Sequence, residues 1–184
     1  AVADVIFGDI SPSGRLPITF PESADQLPPY EDYSMKGRTN KYMTESPLYP
    51  FGVGLSYATF EYGDATLAAS DLKAGDPLNL SIKVGNKSDM AADEVVQVYL
   101  TIEDKDMDLP ISTLIGFQRV GLQPGETRDV SFTFQPEQLQ AIDDKGKRRY
   151  FPGTHTLHVG GVSPGKRGEE LNGSVLKTAT FDIR

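Results

Sequence analysis

Few side chains in this sequence have the types and spacing that chemistry requires: the carboxylates, two histidines, and an arginine and a tyrosine in one loop. His155 and His158 stand three residues apart in a segment with strand-like alternation. Neighbouring strand positions point to opposite faces, so these imidazoles cannot bind one metal ion from a flat strand. No serine stands in the context of a nucleophile elbow. With no cysteine, the chain has no thiolate nucleophile or thiolate ligand.

The run EDKDMD has the acidic character of a calcium site, with alternating Asp104, Asp106 and Asp108. A calcium loop of the EF-hand type that began at Asp104 would need Gly at its sixth position and Glu at its twelfth. Leu109 and Ile115 stand there instead. The sequence therefore predicts a solvent-facing strand end or loop rather than a calcium site.

The other acidic residues are predicted to be surface charge. Pairs such as Glu31–Asp32 and Glu169–Glu170 lie among turn-forming residues, where exposed carboxylates contribute little. The prediction is therefore that the chain holds no catalytic residue, no metal site and no cofactor site.

Composition limits the class of protein. The 184 residues carry a formal net charge of −8, whereas nucleic acids and anionic membranes need clustered Lys and Arg. The one dense basic run, at 145–149, follows two aspartates and is predicted to be a solvated turn. No apolar run reaches transmembrane length, so neither nucleic acid nor membrane is an expected partner. A chain without cysteine fits the cytoplasm and the bacterial periplasm equally well.

The elements that precede residue 37 do not form a unit that could fold alone. Val2, Val5 and Ile6 have helical spacing, and Gly8 is a natural helix stop. A turn follows, and then a short strand at 15–20 that contains Pro17 and should lie at an edge. A helix, a turn and a strand cannot bury a core. This part of the chain must therefore pack against something outside it.

The segment from 37 to 60 divides two regions of different character. Pro47 and Pro50 restrict the backbone, while Gly52 and Gly54 permit conformations closed to other residues. Its aromatic side chains need surfaces to pack on. The pattern indicates an ordered strap on a neighbouring surface, and the alternative is a buried loop within one domain.

After residue 60 the sequence changes to short alternating runs separated by Gly, Pro, Asn and Asp turns. Period-two alternation predicts strands with one face buried and one exposed. The alternating positions are Leu78, Leu80, Ile82 and Val84; Val96, Val98 and Leu100; Val130, Phe132 and Phe134; and Val175, Ala179, Phe181 and Ile183. Several short strands at this spacing predict an antiparallel β-sandwich. The one predicted helical interruption is at 136–142.

Separate segments resemble, in the right order, a known enzyme family: ADVIFGDISPSGRLPITFP at 3–21, LYPFGVGLSYATF at 48–60, PISTLIGFQRVGLQPGETRDVSFTF at 110–134 and GTHTLHVGGVSPG at 153–165. They are similar to segments of glycoside hydrolase family 3, the retaining β-glucosidases and β-xylosidases. GRT at 37–39 is more typical of the β-xylosidase-like branch. The sequence departs from the family pattern at Asn40, Lys41, Val53 and Ala58, where the pattern has Tyr, Arg, Tyr and Thr.

The resemblance implies a mainly β fold in three parts. Residues 1–36 would be the incomplete end of an α/β sandwich domain, 37–63 an ordered connecting strap, and 64–184 a fibronectin type III-like (immunoglobulin-like) antiparallel β-sandwich.

The resemblance also implies a function. The chain would be the C-terminal part of a retaining β-glycosidase that hydrolyses terminal non-reducing β-D-xylose or β-D-glucose residues and needs no cofactor. Retention requires two carboxyl groups about 5–5.5 Å apart, and the family carries both in domains that precede this region. The expected partners are therefore the upstream catalytic barrel and α/β sandwich domain of the same polypeptide, and through them a β-linked oligosaccharide. Alone the chain is expected to be inactive and structural, and the family favours a periplasmic or secreted location.

In that context Arg38 and Tyr42 are the candidate substrate-proximal residues. Arginine can donate hydrogen bonds to sugar hydroxyls, and tyrosine can stack on a sugar ring. The alternative is that both side chains pack the strap onto its neighbour. A rival function is a non-catalytic carbohydrate-binding or interaction module with an exposed aromatic platform. The absence of tryptophan weighs against that rival.

Overall fold

The alternating apolar residues form two antiparallel sheets in the computed structural model, which describes residues 2–104, 107–173 and 175–184. The helices are α1 (Val2–Ile6), α2 (Thr39–Tyr42) and α3 (Lys166–Asn172), with 3-10 turns at Ala24–Gln26 and Pro136–Leu139. The strands are β1 (Phe60–Tyr62), β2 (Thr66–Leu67), β3 (Asp71–Leu72), β4 (Leu78–Asn86), β5 (Ala92–Ile102), β6 (Thr113–Leu122), β7 (Thr127–Phe134), β8 (Ala141–Ile142), β9 (Arg148–Arg149), β10 (Gly153–Gly160) and β11 (Lys177–Ile183).

The first sheet is built around β4, which pairs antiparallel with β7 on one edge and with β1 and β2 on the other. The second sheet has the order β3-β11-β10-β5-β6. All its pairs are antiparallel except β3 with β11. Strands β8 and β9 form a separate two-stranded ribbon. The predicted antiparallel β-sandwich is confirmed.

The core lies between the two sheets and is filled by the inward-facing residues of both, as period-two alternation requires. Its members include Leu78, Leu80, Ile82 and Val84 of β4, Val96, Val98 and Leu100 of β5, Leu157 and Val159 of β10, and Phe181 and Ile183 of β11. In the described part of the chain, this core takes no residue from positions 2–57. The sandwich therefore has a complete core of its own, and the N-terminal region, residues 2–57, lies outside it.

The exposed-face prediction was wrong for β5. Gln97 and Tyr99 alternate with core residues, yet they are only 3% and 0% exposed. The reason is that residues of the predicted strap cover this outer face of the second sheet. Strand β5 is thus buried on both faces.

Other local predictions also needed correction. The segment 15–20 is not a regular strand, since its one assigned pairing is an isolated bridge between Phe20 and Tyr49. Pro17 offers no N–H to a ladder, which limits the pairing of this segment. The helix predicted over 136–142 is a 3-10 turn followed by β8. Val175 precedes β11 and is exposed.

Two short helices were missed. Helix α2 lies within the strap, and α3 carries Glu169 and Glu170, although the sequence around these two residues predicts a loop. Each has seven residues or fewer, a length at which tertiary contacts rather than sequence pattern decide helix formation. Within the described ranges, no helix has the length and apolar character needed to cross a membrane.

Both histidines lie on a strand, β10, as predicted, and each contacts neighbouring residues of the sandwich. His155 is buried, its Nδ1 is 2.9 Å from the carbonyl oxygen of Gly153, and its ring stacks on Phe181. His158 Nε2 lies 3.2 Å from Thr101 Oγ1. Burial lowers the pKa of both imidazoles, which favours their neutral forms.

Candidate functional site

The feature that joins the N-terminal region to the sandwich is the buried outer face of β5. Phe51 packs edge-on against Tyr99, with ring centroids 6.4 Å apart. Gly52 and Val53 are buried beside it. This interface is the best-defined polar and aromatic site in the described residues, and its role is to hold two parts of the chain together.

Gln97 is the centre of this interface. Its Nε2 donates to the carbonyl oxygens of Gly52 at 3.0 Å and Gly161 at 2.7 Å. Its Oε1 accepts from the hydroxyl of Tyr99 at 2.6 Å. Both polar atoms of this buried amide are hydrogen-bonded. Moving the strap would break the bond to Gly52 and leave a buried polar group without a partner, so Gln97 helps to fix the position of the strap.

Gly52 is required at this contact for two reasons. Its φ of 78° lies in the left-handed region that favours glycine. A Cβ atom there would lie 2.2 Å from Gln97 Oε1 and 2.8 Å from the Tyr99 hydroxyl. The glycine therefore permits the backbone to approach the β5 side chains closely enough for hydrogen bonding.

A buried ion pair makes a second connection. The Nη2 atom of Arg15 lies 2.6 Å from Glu94 Oε2, and the two side chains are 9% and 2% exposed. Tyr62 donates from its hydroxyl to Glu94 Oε1 at 2.6 Å. The carboxylate thus bonds the N-terminal region through Arg15 and the first sheet through Tyr62, while it belongs to the second sheet itself.

Burial governs the electrostatics of this cluster. It raises the pKa of the Glu94 carboxyl, whereas the Arg15 charge and the Tyr62 hydrogen bond act in the opposite direction. Burial also raises the pKa of Tyr62, with the Glu94 charge adding to the effect. Tyr62 therefore remains a hydrogen-bond donor to Glu94 at neutral pH.

Backbone hydrogen bonds complete the interface within the N-terminal region. Leu16 makes two backbone hydrogen bonds with the strap. Leu16 N donates to Val53 O at 2.9 Å, and Gly52 N donates to Leu16 O at 2.8 Å. Phe20 N donates to Tyr49 O at 2.8 Å. Residues 15–20 are therefore bound to the strap, and the strap is bound to β5.

Arg38 and Tyr42, the predicted substrate-proximal residues, lie at the two ends of one short segment. Arg38 precedes α2 and donates from Nε to the carbonyl oxygen of Ser34 at 2.9 Å and from Nη2 to that of Asp32. Tyr42 is half-buried and lines a cleft of about 320 Å³ together with Leu109 and Gln140. Both have intramolecular contacts, which favours the packing alternative, and their contact with substrate stays a prediction.

Metal-binding side chains are not clustered in the part of the chain that the structure describes. No group of three or more His, Asp and Glu side chains there could hold a metal ion. Asp106, the middle aspartate of the run tested for calcium, lies outside the described residues. Glu31 and Asp32 are exposed as expected, but Glu94 is a clear exception to the surface-charge prediction.

Sequence reasoning missed Glu94, Gln97 and Arg15. The run VVQVYL at 95–100 offered one signal, because strands buried on both faces have near-continuous apolar sequences. Nothing in the local sequence distinguishes Glu94 from surface acids, since its burial depends on an arginine 79 positions away.

Comparisons with known proteins agree with this architecture. Residues 1–57 match the glycosyl hydrolase family 3 C-terminal domain, and residues 94–163 match the fibronectin type III-like domain. A periplasmic β-glucosidase of Salmonella typhimurium is 37% identical over 172 residues, covering 87% of this chain and 22% of that protein. A xylan 1,4-β-xylosidase of Xylanibacter ruminicola is 41% identical over 162 residues, covering 87% of this chain and 18% of that protein.

The solved structures give the same result. A β-glucosidase from Erythrobacter marinus superposes with a TM-score of 0.81 and 34% identity, over 100% of this chain and 23% of that one. The fold and the interface define the end of one domain strapped to a fibronectin type III-like sandwich. The chain belongs to glycoside hydrolase family 3 and corresponds to the C-terminal region of its β-glucosidases and β-xylosidases. It spans about a fifth of the length of the curated relatives that it matches.

The first prediction concerns the contact at Gly52. Gly52→Ala should lower the free energy of unfolding by about 3–5 kcal/mol, because the new Cβ displaces the Gln97 amide and strains the backbone. Gly75→Ala is the matched control, since its φ is also positive but no atom lies within 4 Å of the added Cβ. That control should cost only the backbone strain, about 1–2 kcal/mol. Equal losses in urea unfolding would show that the Gly52–Gln97 contact contributes nothing.

The second prediction concerns the buried ion pair. Arg15→Met should lower the free energy of unfolding by about 3–5 kcal/mol, because it leaves the Glu94 carboxylate buried without its cation. Arg119→Met is the control, since its pair with Asp93 is exposed and should contribute less than about 1 kcal/mol. Denaturant unfolding measures both, and similar small losses would contradict a structural role for the Arg15–Glu94 pair.

Proposed function

We propose that this chain is the structural C-terminal part of a retaining β-glycosidase that acts on terminal non-reducing β-D-xylose or β-D-glucose residues. Its relatives are named as β-glucosidases and β-xylosidases, and the matched region makes up 22% and 18% of the two compared above. Its task is to brace the catalytic domains that precede it in the same polypeptide. The nucleophile and the acid/base of the reaction belong to those domains.

One observation carries this proposal: the large exposed apolar side chains are concentrated in the N-terminal region. Among the described residues, fourteen lie within 2–57 and four lie beyond. The fourteen are Val2, Ile6, Phe7, Ile10, Ile18, Phe20, Leu27, Tyr30, Tyr33, Met35, Leu48, Tyr49, Leu55 and Tyr57, and the four are Ile111, Phe117, Ile142 and Val175. Apolar exposure on this scale marks a surface that another body covers.

The occupant we propose for this surface, apart from the loop that carries Tyr30 and Tyr33, is the preceding part of the same polypeptide. The N-terminal region matches the family 3 C-terminal domain. We take it as the end of that domain, so its exposed side chains are those that would complete the domain's core. The contacts with β5 then hold the sandwich in a fixed position relative to the N-terminal region. The boundaries at 36 and 63 are part of this proposal, with the strap between them as the joint.

We also propose that Arg38 and Tyr42 lie close to the substrate in the full-length enzyme. Their role is tested in the full-length enzyme with Arg38→Ala. A variant with lower stability and unchanged kcat/KM on every substrate would exclude substrate contact by Arg38.

The rival function, an independent carbohydrate-binding module, is tested by a pull-down on insoluble xylan and cellulose, where we expect no retention of the chain.

The third prediction tests the covered surface. In the full-length enzyme, Phe7→Ser should lower the melting temperature by several degrees, because it places a hydroxyl in a domain core. In the 184-residue chain alone the same change should be neutral, since Phe7 is 82% exposed there. Phe117→Ser, at an exposed position of β6, is the control and should be neutral in both contexts. Neutrality of Phe7→Ser in the full-length enzyme would contradict coverage by upstream domains.

The fourth prediction concerns activity. The full-length enzyme should hydrolyse an aryl β-xyloside or β-glucoside, and the purified 184-residue chain should not, because the proposal assigns the paired carboxyl groups of a retaining mechanism to the upstream domains. Release of 4-nitrophenol measures both. Turnover by the chain alone would overturn the proposed division of labour.

A further inference from the structure

The loop at residues 28–37, here the tyrosine loop, presents two aromatic rings almost completely to solvent. Tyr30 is 90% exposed and Tyr33 is 88% exposed, the two highest values among the exposed large apolar residues. Their neighbours Glu31 and Asp32 are acidic and also exposed. The loop therefore combines apolar ring faces with hydrogen-bond acceptors.

The tyrosine loop is internally ordered despite this exposure. One turn closes where Asp32 N donates to the carbonyl oxygen of Pro29 at 3.0 Å, and another where Arg38 N donates to that of Met35 at 3.0 Å. Ser34 N donates to Asp32 Oδ1 at 2.8 Å. A fixed backbone lowers the entropy that the loop would lose when its tyrosines bind a ligand.

Arg38 fixes the backbone on both sides of Tyr33. The two carbonyl oxygens that accept its hydrogen bonds belong to Asp32 and Ser34, the residues immediately before and after Tyr33. The planar guanidinium holds several donors in a rigid arrangement, so one side chain can bind both carbonyls. Two of its nitrogens are committed to this purpose. Arg38 therefore acts on the orientation of Tyr33.

A polar recess lies at the base of the loop. Pro28 and Gly37, near its two ends, line a cleft of about 230 Å³ together with Asp25, Thr44 and Glu45. Within the described ranges, the carboxylates of Asp25 and Glu45 make no hydrogen bond or ion pair with another residue. They are available to accept hydrogen bonds from the hydroxyls of a ligand.

We propose that the tyrosine loop is a sugar-contacting site, at which Tyr33, assisted by Tyr30, stacks on a pyranose ring of a β-linked oligosaccharide. The ring in contact is one beyond the residue that the enzyme removes. Asp25 and Glu45 accept hydrogen bonds from hydroxyls of the same saccharide, and Arg38 is the positioning residue for Tyr33. This inference rests on the proposed function, because it takes its ligand from the substrate of the full-length enzyme.

The chemistry of the loop favours a sugar over a protein surface as its occupant. The large apolar side chains exposed on α1 and residues 7–18 are aliphatic or phenylalanine, as expected for a domain core. The tyrosine loop instead offers rings with a hydroxyl at the edge beside free carboxylates. Tyrosine suits a ligand with one apolar face and a wet edge, and a few convergent acceptors give such a site its orientation.

The test uses the full-length enzyme and two substrates, a 4-nitrophenyl β-glycoside with one sugar and the corresponding β-linked trisaccharide. Tyr33→Ala should lower kcat/KM for the trisaccharide by about 3- to 10-fold, mainly through KM, because one aromatic contact is lost. It should leave kcat/KM for the aryl glycoside unchanged. Tyr33→Phe should keep wild-type values, and so should Phe117→Ala, the control at an exposed aromatic of the sandwich.

The same measurement tests the positioning role of Arg38. Arg38→Ala should reproduce the trisaccharide loss of Tyr33→Ala, and the double variant should lose no more than either single variant, since both act through one ring. Additive losses would overturn the positioning role.

Two outcomes overturn the sugar site. If Tyr33→Ala leaves trisaccharide hydrolysis unchanged, no sugar contacts this ring. If it lowers the melting temperature and impairs both substrates equally, the loop is covered by a protein domain instead. Either result leaves the proposed function intact, whereas a wild-type enzyme inert on both substrates overturns the proposed function and the sugar site together.

Discussion

Strand β5 is held from both sides, and the arrangement of the whole chain depends on that constraint. Its inward face supplies Val96 and Val98 to the core, while its outer face bonds the strap through Gln97. A surface strand of a sandwich normally leaves one face to water. Because β5 does not, the N-terminal region cannot change its orientation without exposing buried polar groups of the sandwich. These contacts therefore fix the orientation of the N-terminal region relative to the sandwich.

The Arg15–Glu94 pair contributes to this relation through specificity more than through stability. Removing two charges from water is costly, and a well-packed apolar pair could be as stable. A carboxylate 2% exposed nevertheless tolerates only arrangements that bring its cation to it. The Tyr62 hydroxyl bonds the other oxygen, so alternative positions of Arg15 leave a buried charge unmatched. The cluster therefore favours the docking geometry that brings Arg15 to Glu94.

The sequence predicted the sandwich well and the interface poorly, for a physical reason. Alternation at Leu78, Leu80 and Ile82 is a local signal, and local turns set the strand ends. Burial of Glu94 depends instead on a partner in the N-terminal region that no local pattern encodes, whereas the apolar run at 95–100 gave a partial signal for Gln97. The exposed face predicted for β5 was wrong because the strap covers it, and the strand predicted at 15–20 was wrong because Pro17 limits the pairing of that segment. The ordered strap at 37–63 stays a prediction, although Phe51 and Gly52 of that segment do pack on β5.

The N-terminal region and the sandwich differ in how they are stabilised, and that difference explains why they are joined so firmly. The sandwich buries its apolar residues within itself, whereas the described residues 2–57 leave most of theirs exposed. An element without its own core takes its order from its neighbours, and on one side that neighbour is β5. The tyrosine loop projects from this anchored region and is fixed by Arg38 rather than by packing. Its rings can therefore remain solvent-exposed without being disordered, which is the condition a preorganised binding loop must satisfy.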